Sequence, residues 1–487
     1  MGILLNKAIL TYSTSITGLI CCIILIGFLQ YAYAGSGAYS LGTGSRVLGR
    51  GGADIAVAND AFSITLNPAG MLQIDGRRFD LSLVAGVGTN HFDNDYNDDV
   101  AGDPFYFFIP NFGYVNNSPD SRWAYGITLY SPGGLGSSYK LYQPLYEKEL
   151  VHEDAIMPIR LSPAVAYRLT SKFTVGFAPC FSYTRLDLKM PFTVSKEKVR
   201  EICQGEIGGN FGSLTYGEVL NWVDVDEYVT KVETKEIDDF AFGFTFGMLY
   251  KVNSQLSIGF SYMSKQKFDL EGSFQLDANR QLTALKEIDP RVGLVEQELP
   301  DKGAKGYSGN WDTTARFVYP QKIGIGISYK PWQNWHFAFD ALWVEWSDFL
   351  GSWEMKQKNG DNRDLNAIIG DTSFSADVYQ IWKDSYIFSI GIEYEYSEQT
   401  VLRGGVAHST NIVPSHTIDP TGPVIAKDHA TLGWGYSRST YEFNVSYEHI
   451  FRNSSSRVSH HEVTRNYDNA KTTLSVDIIC LTYTWKF

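Results

Sequence analysis

The chain has 487 residues, a length that several soluble domains or one large closed barrel would fill. Aromatic residues make up 14% of it, with 30 Tyr, 29 Phe and 45 Gly, which suits many short strands whose ends meet a membrane interface rather than a helical enzyme. A formal net charge of -13 argues against nucleic acid as a partner.

In chain order, residues 1–34 read as a secretory signal peptide. Lys7 supplies the positive start, Leu19 to Leu29 the apolar core, and Ala32-Tyr33-Ala34 the cleavage site before Gly35. The apolar core is short for a membrane anchor and no stop-transfer charges follow it. Cys21 and Cys22 leave with this leader. The odd set that remains, Cys180, Cys203 and Cys480, has neither disulfide-framework nor zinc spacing. Beyond residue 34 no stretch of about 18 uncharged apolar residues occurs, so any membrane-spanning structure must be a barrel.

Residues 35–77 do not alternate. Gly42-Thr43-Gly44-Ser45-Arg46-Val47 has Val where the last Gly of a dinucleotide-binding loop belongs, and no P-loop Lys follows. Nucleotide binding is rejected.

From residue 78 the chain falls into runs of period two. Phe240, Phe242, Phe244, Phe246, Met248 and Tyr250 alternate with Ala241, Gly243, Thr245 and Gly247. Similar runs span 322–330, 335–343, 385–396, 441–448 and 479–487, and weaker ones 79–89, 105–116, 122–131, 160–170, 173–188, 256–270, 400–408 and 428–437, which makes fourteen. A soluble sandwich also alternates. Here, however, aromatics end the apolar faces, and the other parity is Gly, Ser, Glu and Lys, as an interfacial girdle and a wet lumen require. Short turns (116–121, 170–172, 251–255, 330–334, 396–400, 436–440) alternate with long polar loops near 90–104, 131–159, 189–238, 271–316, 348–384, 409–427 and 452–470. That asymmetry predicts an all-β, fourteen-stranded antiparallel transmembrane barrel, with short turns in the periplasm and long loops outside.

The stretches Leu48-Gly49-Arg50-Gly51-Gly52-Ala53, Ala58-Asn59-Asp60-Ala61 and Asn67-Pro68-Ala69-Gly70 resemble the N-terminal hatch of the FadL-type outer-membrane channels for hydrophobic compounds. So do Pro163 to Leu169, Tyr319-Pro320 through Trp346-Ser347-Asp348-Phe349, and Leu402-Arg403-Gly404-Gly405. The resemblance implies a hatch at 35–77, marked by Gly49, Arg50, Asn67, Pro68 and Ala69, inside a barrel at 78–487 in the Gram-negative outer membrane. It further implies passive uptake of a hydrophobic small molecule such as a long-chain fatty acid, with lateral release into outer-membrane lipid at the third strand. The candidate gap is Ser131-Pro132-Gly133-Gly134, where Pro cannot donate to a ladder and Gly permits bending; a plain loop entrance fits those residues equally.

Arg185 sits where the family places a ligand-binding cation, yet its parity with Phe177, Phe181 and Tyr183 points it outward unless a bulge intervenes near Pro179. Arg403 has lumen parity, with Glu393 and Glu395 on the preceding run, so an ion pair competes with a ligand contact. Asp93, Asp95, Asp98, Asp99 and Asp103 fail the EF-hand pattern and read as a solvated loop. His460 and His461 read as exposed. No catalytic motif, metal site or cofactor is expected, and C-terminal Phe487 is the expected contact for the outer-membrane assembly machinery. An outer-membrane hydrolase and a general porin remain as alternatives.

Overall fold

The computed structural model describes residues 39–349, 353–378, 381–421, 424–456 and 464–487; the expected leader, residues 35–38, His460 and His461 lie outside them. In hydrocarbon no water satisfies a backbone N–H or C=O, so strands there must pair on both sides and the sheet must close. The strands are β1 (Gly76–Asn94), β2 (Asn97–Ala101), β3 (Phe105–Asn117), β4 (Trp123–Tyr130), β5 (Leu135–Gln143), β6 (Lys148–Arg168), β7 (Phe173–Ser195), β8 (Glu227–Lys251), β9 (Leu256–Met263) and β10 (Gln266–Asp277). They continue with β11 (Ser308–Tyr319), β12 (Lys322–Trp332), β13 (Trp335–Val344), β14 (Trp353–Lys358), β15 (Phe374–Val378), β16 (Ser385–Glu395), β17 (Thr400–Ser409), β18 (Asp428–Ser437), β19 (Tyr441–Ser456) and β20 (Lys471–Lys486).

Every pairing is antiparallel, and β1 bonds to β3 on one side and β20 on the other. The ring β1-β3-β4-β6-β7-β8-β9-β12-β13-β16-β17-β18-β19-β20 is therefore closed with fourteen strands. The six other strands prolong it on the long-loop side: β2 on β1, β5 beside β6, β10 between β8 and β11, and the β14–β15 hairpin on β11. Among the described residues no helix is long and apolar enough to cross a membrane.

The alternating runs face as their chemistry requires. On β12, Ile323, Ile325, Ile327 and Tyr329 point outward while Gly324, Gly326 and Ser328 are buried within. Three expectations need correction. The polar stretch 189–238 is not all loop, because β7 runs to Ser195 and β8 begins at Glu227; 131–159 likewise holds β5 and the outer half of β6. Above the hydrocarbon both faces meet water, so ladders continue while period-two hydrophobicity fades. The run 256–270 is two strands, β9 and β10, broken at Ser264–Lys265.

The inward glycines, finally, face protein rather than the wet lumen expected of their parity. A Cβ on Gly247 of β8 would lie 2.0 Å from Asn67 Oδ1, one on Gly176 of β7 2.3 Å from the Ala69 nitrogen, and one on Gly405 of β17 2.3 Å from the Arg50 carbonyl carbon. Gly113 of β3 and Gly259 of β9 meet Ala61 and Ile55 in the same way. Contacts from strands all round the ring locate residues 39–74 inside the barrel, held by α1 (Ser45–Gly49), α2 (Ser63–Leu66) and a 3₁₀ turn at Pro68–Gln73.

Candidate functional site: a lumenal pocket beside a break in the wall

The N-terminal segment is fixed by backbone and charge together. Asn67 is its pivot: Nδ2 donates to the carbonyls of Ile55 (2.6 Å) and Met248 (3.1 Å), and Oδ1 accepts from the Ala69 nitrogen as Pro68 opens the 3₁₀ turn. Asp340 Oδ2 on β13 accepts from the nitrogens of Asp54 (2.6 Å) and Ile55 (2.8 Å). Buried Arg50 pairs with Asp54 and lies 3.2 Å from Glu393 of β16, whose other oxygen accepts from Arg403 Nε at 2.6 Å. Arg403 also donates to Asn444 at 3.0 Å. Nearer the short turns, Glu442 gathers Arg46, Arg78 and Lys486, while Arg78 clasps Asp80.

Arg403 is therefore engaged in this network, the ion pair the sequence offered. The bulge that would turn Arg185 inward is absent: β7 and β8 stay in register from Phe173 to Leu186 past Pro179, so Arg185 faces outward, 48% exposed, and pairs with Asp187 at 3.0 Å. Gly49 packs its Cα side against Gly433 of β18. Among the described residues no cluster of His, Cys, Asp and Glu is arranged to hold a metal, the acidic first loop included. Cys180, Cys203 and Cys480 are free thiols. Phe487 is exposed at the base of the barrel, its nitrogen donating to the Arg77 carbonyl at 3.0 Å.

Between the N-terminal segment and the barrel wall lies a cavity of about 700 Å³, including the solvent at its mouth, lined by Tyr39, Val47, Asp54 and Thr65 of the segment and by Tyr130, Pro132, Met263, Lys322, Leu342 and Ile387 of the wall. Two cations meet there: half-buried Lys322 lines the cavity, and buried Arg160 stands beside it against the lining Met263. The Arg160 guanidinium stands 4.6 Å over the Tyr319 ring and donates to Met263 Sδ at 3.0 Å, leaving Nε unpaired. Lys322 Nζ lies 3.8 Å from the centre of the Tyr39 ring. Among the described residues neither has a carboxylate within ion-pair distance, although for buried Arg160 an unpaired charge is expensive and tyrosine faces offset only part of that cost. The arrangement favours an anion that brings an apolar body with it. The sequence carried a signal for both residues: Arg160 shares the small-residue parity of Ser162, Ala164 and Ala166, and Lys322 that of Gly324 and Gly326.

The pocket abuts a break in the wall. β4 stops at Tyr130, opposite Arg160, and β5 resumes at Leu135, opposite Ile156, so Met157–Ile159 of β6 have no ladder partner on that side. β3 pairs with β4 only from Phe112 onward; its Phe105–Asn111 edge is laddered to β1 alone. Ser131, Pro132, Gly133 and Gly134 form the break, with Gly133 at φ 129, a conformation that favours glycine. Asn111 Oδ1 holds the Ser131 nitrogen at 3.1 Å, and the Pro132 carbonyl accepts from Ser40 at 2.9 Å. On the long-loop side, α3 (Tyr216–Leu220), α4 (Asn279–Ile288), α5 (Arg291–Glu296) and α6 (Arg363–Ile369) border a second, largely apolar cavity of about 390 Å³, including the solvent at its mouth, among Tyr216, Leu220, Leu282, Val292, Val295 and Leu299.

A closed fourteen-stranded barrel with apolar outward faces and a lumenal pocket defines an outer-membrane β-barrel transport protein. The chain belongs to the family described as "Outer membrane protein transport protein (OMPP1/FadL/TodX)", which matches residues 32–487. It is similar to the long-chain fatty acid transport protein of Escherichia coli O6:H1 (24% identity over 420 residues, 83% of this chain and 82% of that one). The corresponding protein of Escherichia coli K12 is 22% identical over 442 residues, covering 84% and 86%. Among solved structures, the Pseudomonas putida toluene transporter TodX aligns with a TM-score of 0.69 at 18% identity over 92% of this chain and 99% of that one. A Pseudomonas aeruginosa FadL homologue aligns with a TM-score of 0.67 over 93% and 100% at 18% identity.

Proposed function

We propose that this outer-membrane protein takes up long-chain fatty acids or similar anionic amphiphiles by passive diffusion and releases them sideways into the membrane at its third barrel strand. The observation that carries the reading is the pair Arg160 and Lys322, two cations without a carboxylate ion-pair partner among the described residues, Lys322 lining and buried Arg160 bordering a pocket whose walls combine aromatic and aliphatic side chains with Asp54 and a few hydroxyls. A carboxylate entering that pocket supplies the missing counter-charge, and Arg favours a bidentate hold on it. An apolar tail gains by passing from the outer-loop cavity to this pocket and then to lipid, and loses by crossing water.

In this reading residues 39–74 act as a hatch that denies ions a continuous pore, and the edge of β3 beside Ser131–Gly134 is the exit. The driving force is the ligand's own gradient and its consumption inside; no catalytic step and no cofactor is assigned. Phe487 serves assembly. Neutral aromatic hydrocarbons are the competing substrate class, favoured by the aromatic lining and by the transport named for TodX.

The test is growth and labelled uptake in a strain lacking the protein. Loss of growth on long-chain fatty acids, restored by the wild-type chain, is expected. A deletion with no defect on any apolar carbon source would overturn the proposal, and a defect on toluene alone would replace the substrate class.

A further inference from the structure

The break at Ser131–Gly134 is not the only interruption of the wall. The β8–β9 ladder ends at Thr245 opposite Met263, and the β8–β10 ladder begins at Asp238 opposite Glu271. Between them Asp239–Phe244 of β8 face Ser264–Leu270 with no continuous ladder. Six residues of strand are about 20 Å of wall. Ser264 and Phe244 close the lower end, the Ser264 nitrogen donating to the Phe244 carbonyl and the Phe244 nitrogen to Ser264 Oγ, each at 2.9 Å. Asp239 Oδ2 closes the upper end, accepting from the Asp269 nitrogen at 2.8 Å. Outward lie Phe240 and Phe242, which at 74% and 60% exposure rank among the most exposed large apolar residues of the described chain.

What fills the interval is a side chain. Gln266 turns inward, its Oε1 accepting from Ser182 Oγ at 2.9 Å and its Nε2 donating to the Cys180 carbonyl at 3.4 Å. Room for it exists because residue 243 is glycine: a Cβ there would fall 2.7 Å from Gln266 Cγ. Behind it the lumen is apolar, with Phe268 stacked on Phe317 at 4.9 Å and Leu270 fully buried.

Register ties this interval to the pocket. Tyr130 is opposite Arg160, Arg160 opposite Ser182, and Ser182 opposite Ala241, so one row of four buried residues crosses β4, β6, β7 and β8. One break lies at each end of that row. Arg160 stands between them, about 5 Å from the first and about 10 Å from the second at ordinary strand spacing. Met263, the last residue before the second break, itself lines the pocket and accepts from Arg160.

We propose that the wall has a second lateral port, between β8 and the β9–β10 junction, through which the tail of a ligand held at Arg160 reaches the membrane on the long-loop side, with Gln266 as its movable closure. It rests on the reading of Arg160 as the carboxylate site. The unladdered backbone does not depend on that reading: such a stretch at membrane depth is tolerated where it borders protein or a cavity, and here a single amide side chain supplies that border.

The test uses the full chain in liposomes, loaded with palmitate carrying a diazirine at its terminal carbon, irradiated, and mapped by mass spectrometry. Adducts are expected in two groups, at 130–132 and at 240–244 with 264–268. Gln266→Ala and Ser182→Ala each raise the second group about two- to tenfold relative to the first, the range for losing such hydrogen bonds. Gln266→Trp, with folding checked by heat-modifiable gel mobility, depresses it. Label confined to 130–132 in wild type and in both loosened variants overturns the port while leaving the carboxylate site standing. Label at 240–244 that ignores Gln266→Trp means contact from the lipid side and also overturns it. No label anywhere near Arg160 removes the carboxylate reading and the port together.

Discussion

Arg50 of the N-terminal segment lies 3.2 Å from Glu393 of β16, and both side chains are buried. Truncating one member of a buried pair leaves its partner uncompensated, at about 3–5 kcal/mol. Arg50→Ala is therefore expected to lower the thermal unfolding temperature and to loosen the segment enough for steady ion conductance in planar bilayers. A variant as silent and as stable as wild type would show that Arg50 does not hold the segment in the lumen.

Arg160 and Lys322 separate binding from stability. Replacing either by Met is expected to weaken binding of a long-chain fatty acid by about 1.5–3 kcal/mol, roughly 10- to 150-fold in Kd, the worth of a charge-assisted hydrogen bond. The ligand-free variants should melt no lower than wild type, because a cation without a counter-ion, fully buried in the case of Arg160, has been removed. Titration calorimetry with palmitate and with its neutral methyl ester measures both sides: the ester should not distinguish variant from wild type.

Gly247 and Gly404 are paired probes of the seat. A Cβ on Gly247 meets Asn67 Oδ1 at 2.0 Å, whereas one on Gly404 meets nothing closer than 3.9 Å. Gly247→Ala is expected to cost at least about 1–3 kcal/mol through overpacking, and Gly404→Ala to stay within about 0.5 kcal/mol of wild type. Equal thermal stabilities for the two variants would contradict the seating of Asn67 on β8.

The outer-loop cap should loosen in acid. Burial alone would raise the Glu296 carboxyl, but Lys286 Nζ at 2.8 Å and the Tyr307 hydroxyl hold it below its ordinary 4.5. A depressed carboxyl contributes stability that is present above the unfolded value and lost as pH falls through the folded one. Hydrogen exchange of 291–299 should therefore quicken as pH drops below 4.5 relative to the intrinsic rate, and Glu296→Gln should flatten that dependence. An unchanged acid profile in the variant would remove Glu296 from the account.

The amino-acid sequence alone determined the strands that cross hydrocarbon, since lipid accepts only apolar side chains on every second position: Phe240 to Tyr250 and Ile323 to Tyr329 announce both strand and face. The short turns were equally legible, because an alternation of connection lengths is a local property. Where water touches both faces that constraint ends, so the outer reach of β7 to Ser195 and the start of β8 at Glu227 left no periodic mark.

Tertiary structure alone decided what the inward glycines face. Gly176, Gly247, Gly259 and Gly405 are small because a separate segment of chain rests against them, a relation between residues far apart in sequence that no local pattern encodes. It also decided the site: Arg403 has lumen parity like Arg160, but Glu393 lies on the strand beside Arg403 and no described carboxylate lies beside Arg160. Parity fixes which way a cation points; only closure of the ring fixes whether it meets an anion there or waits for one.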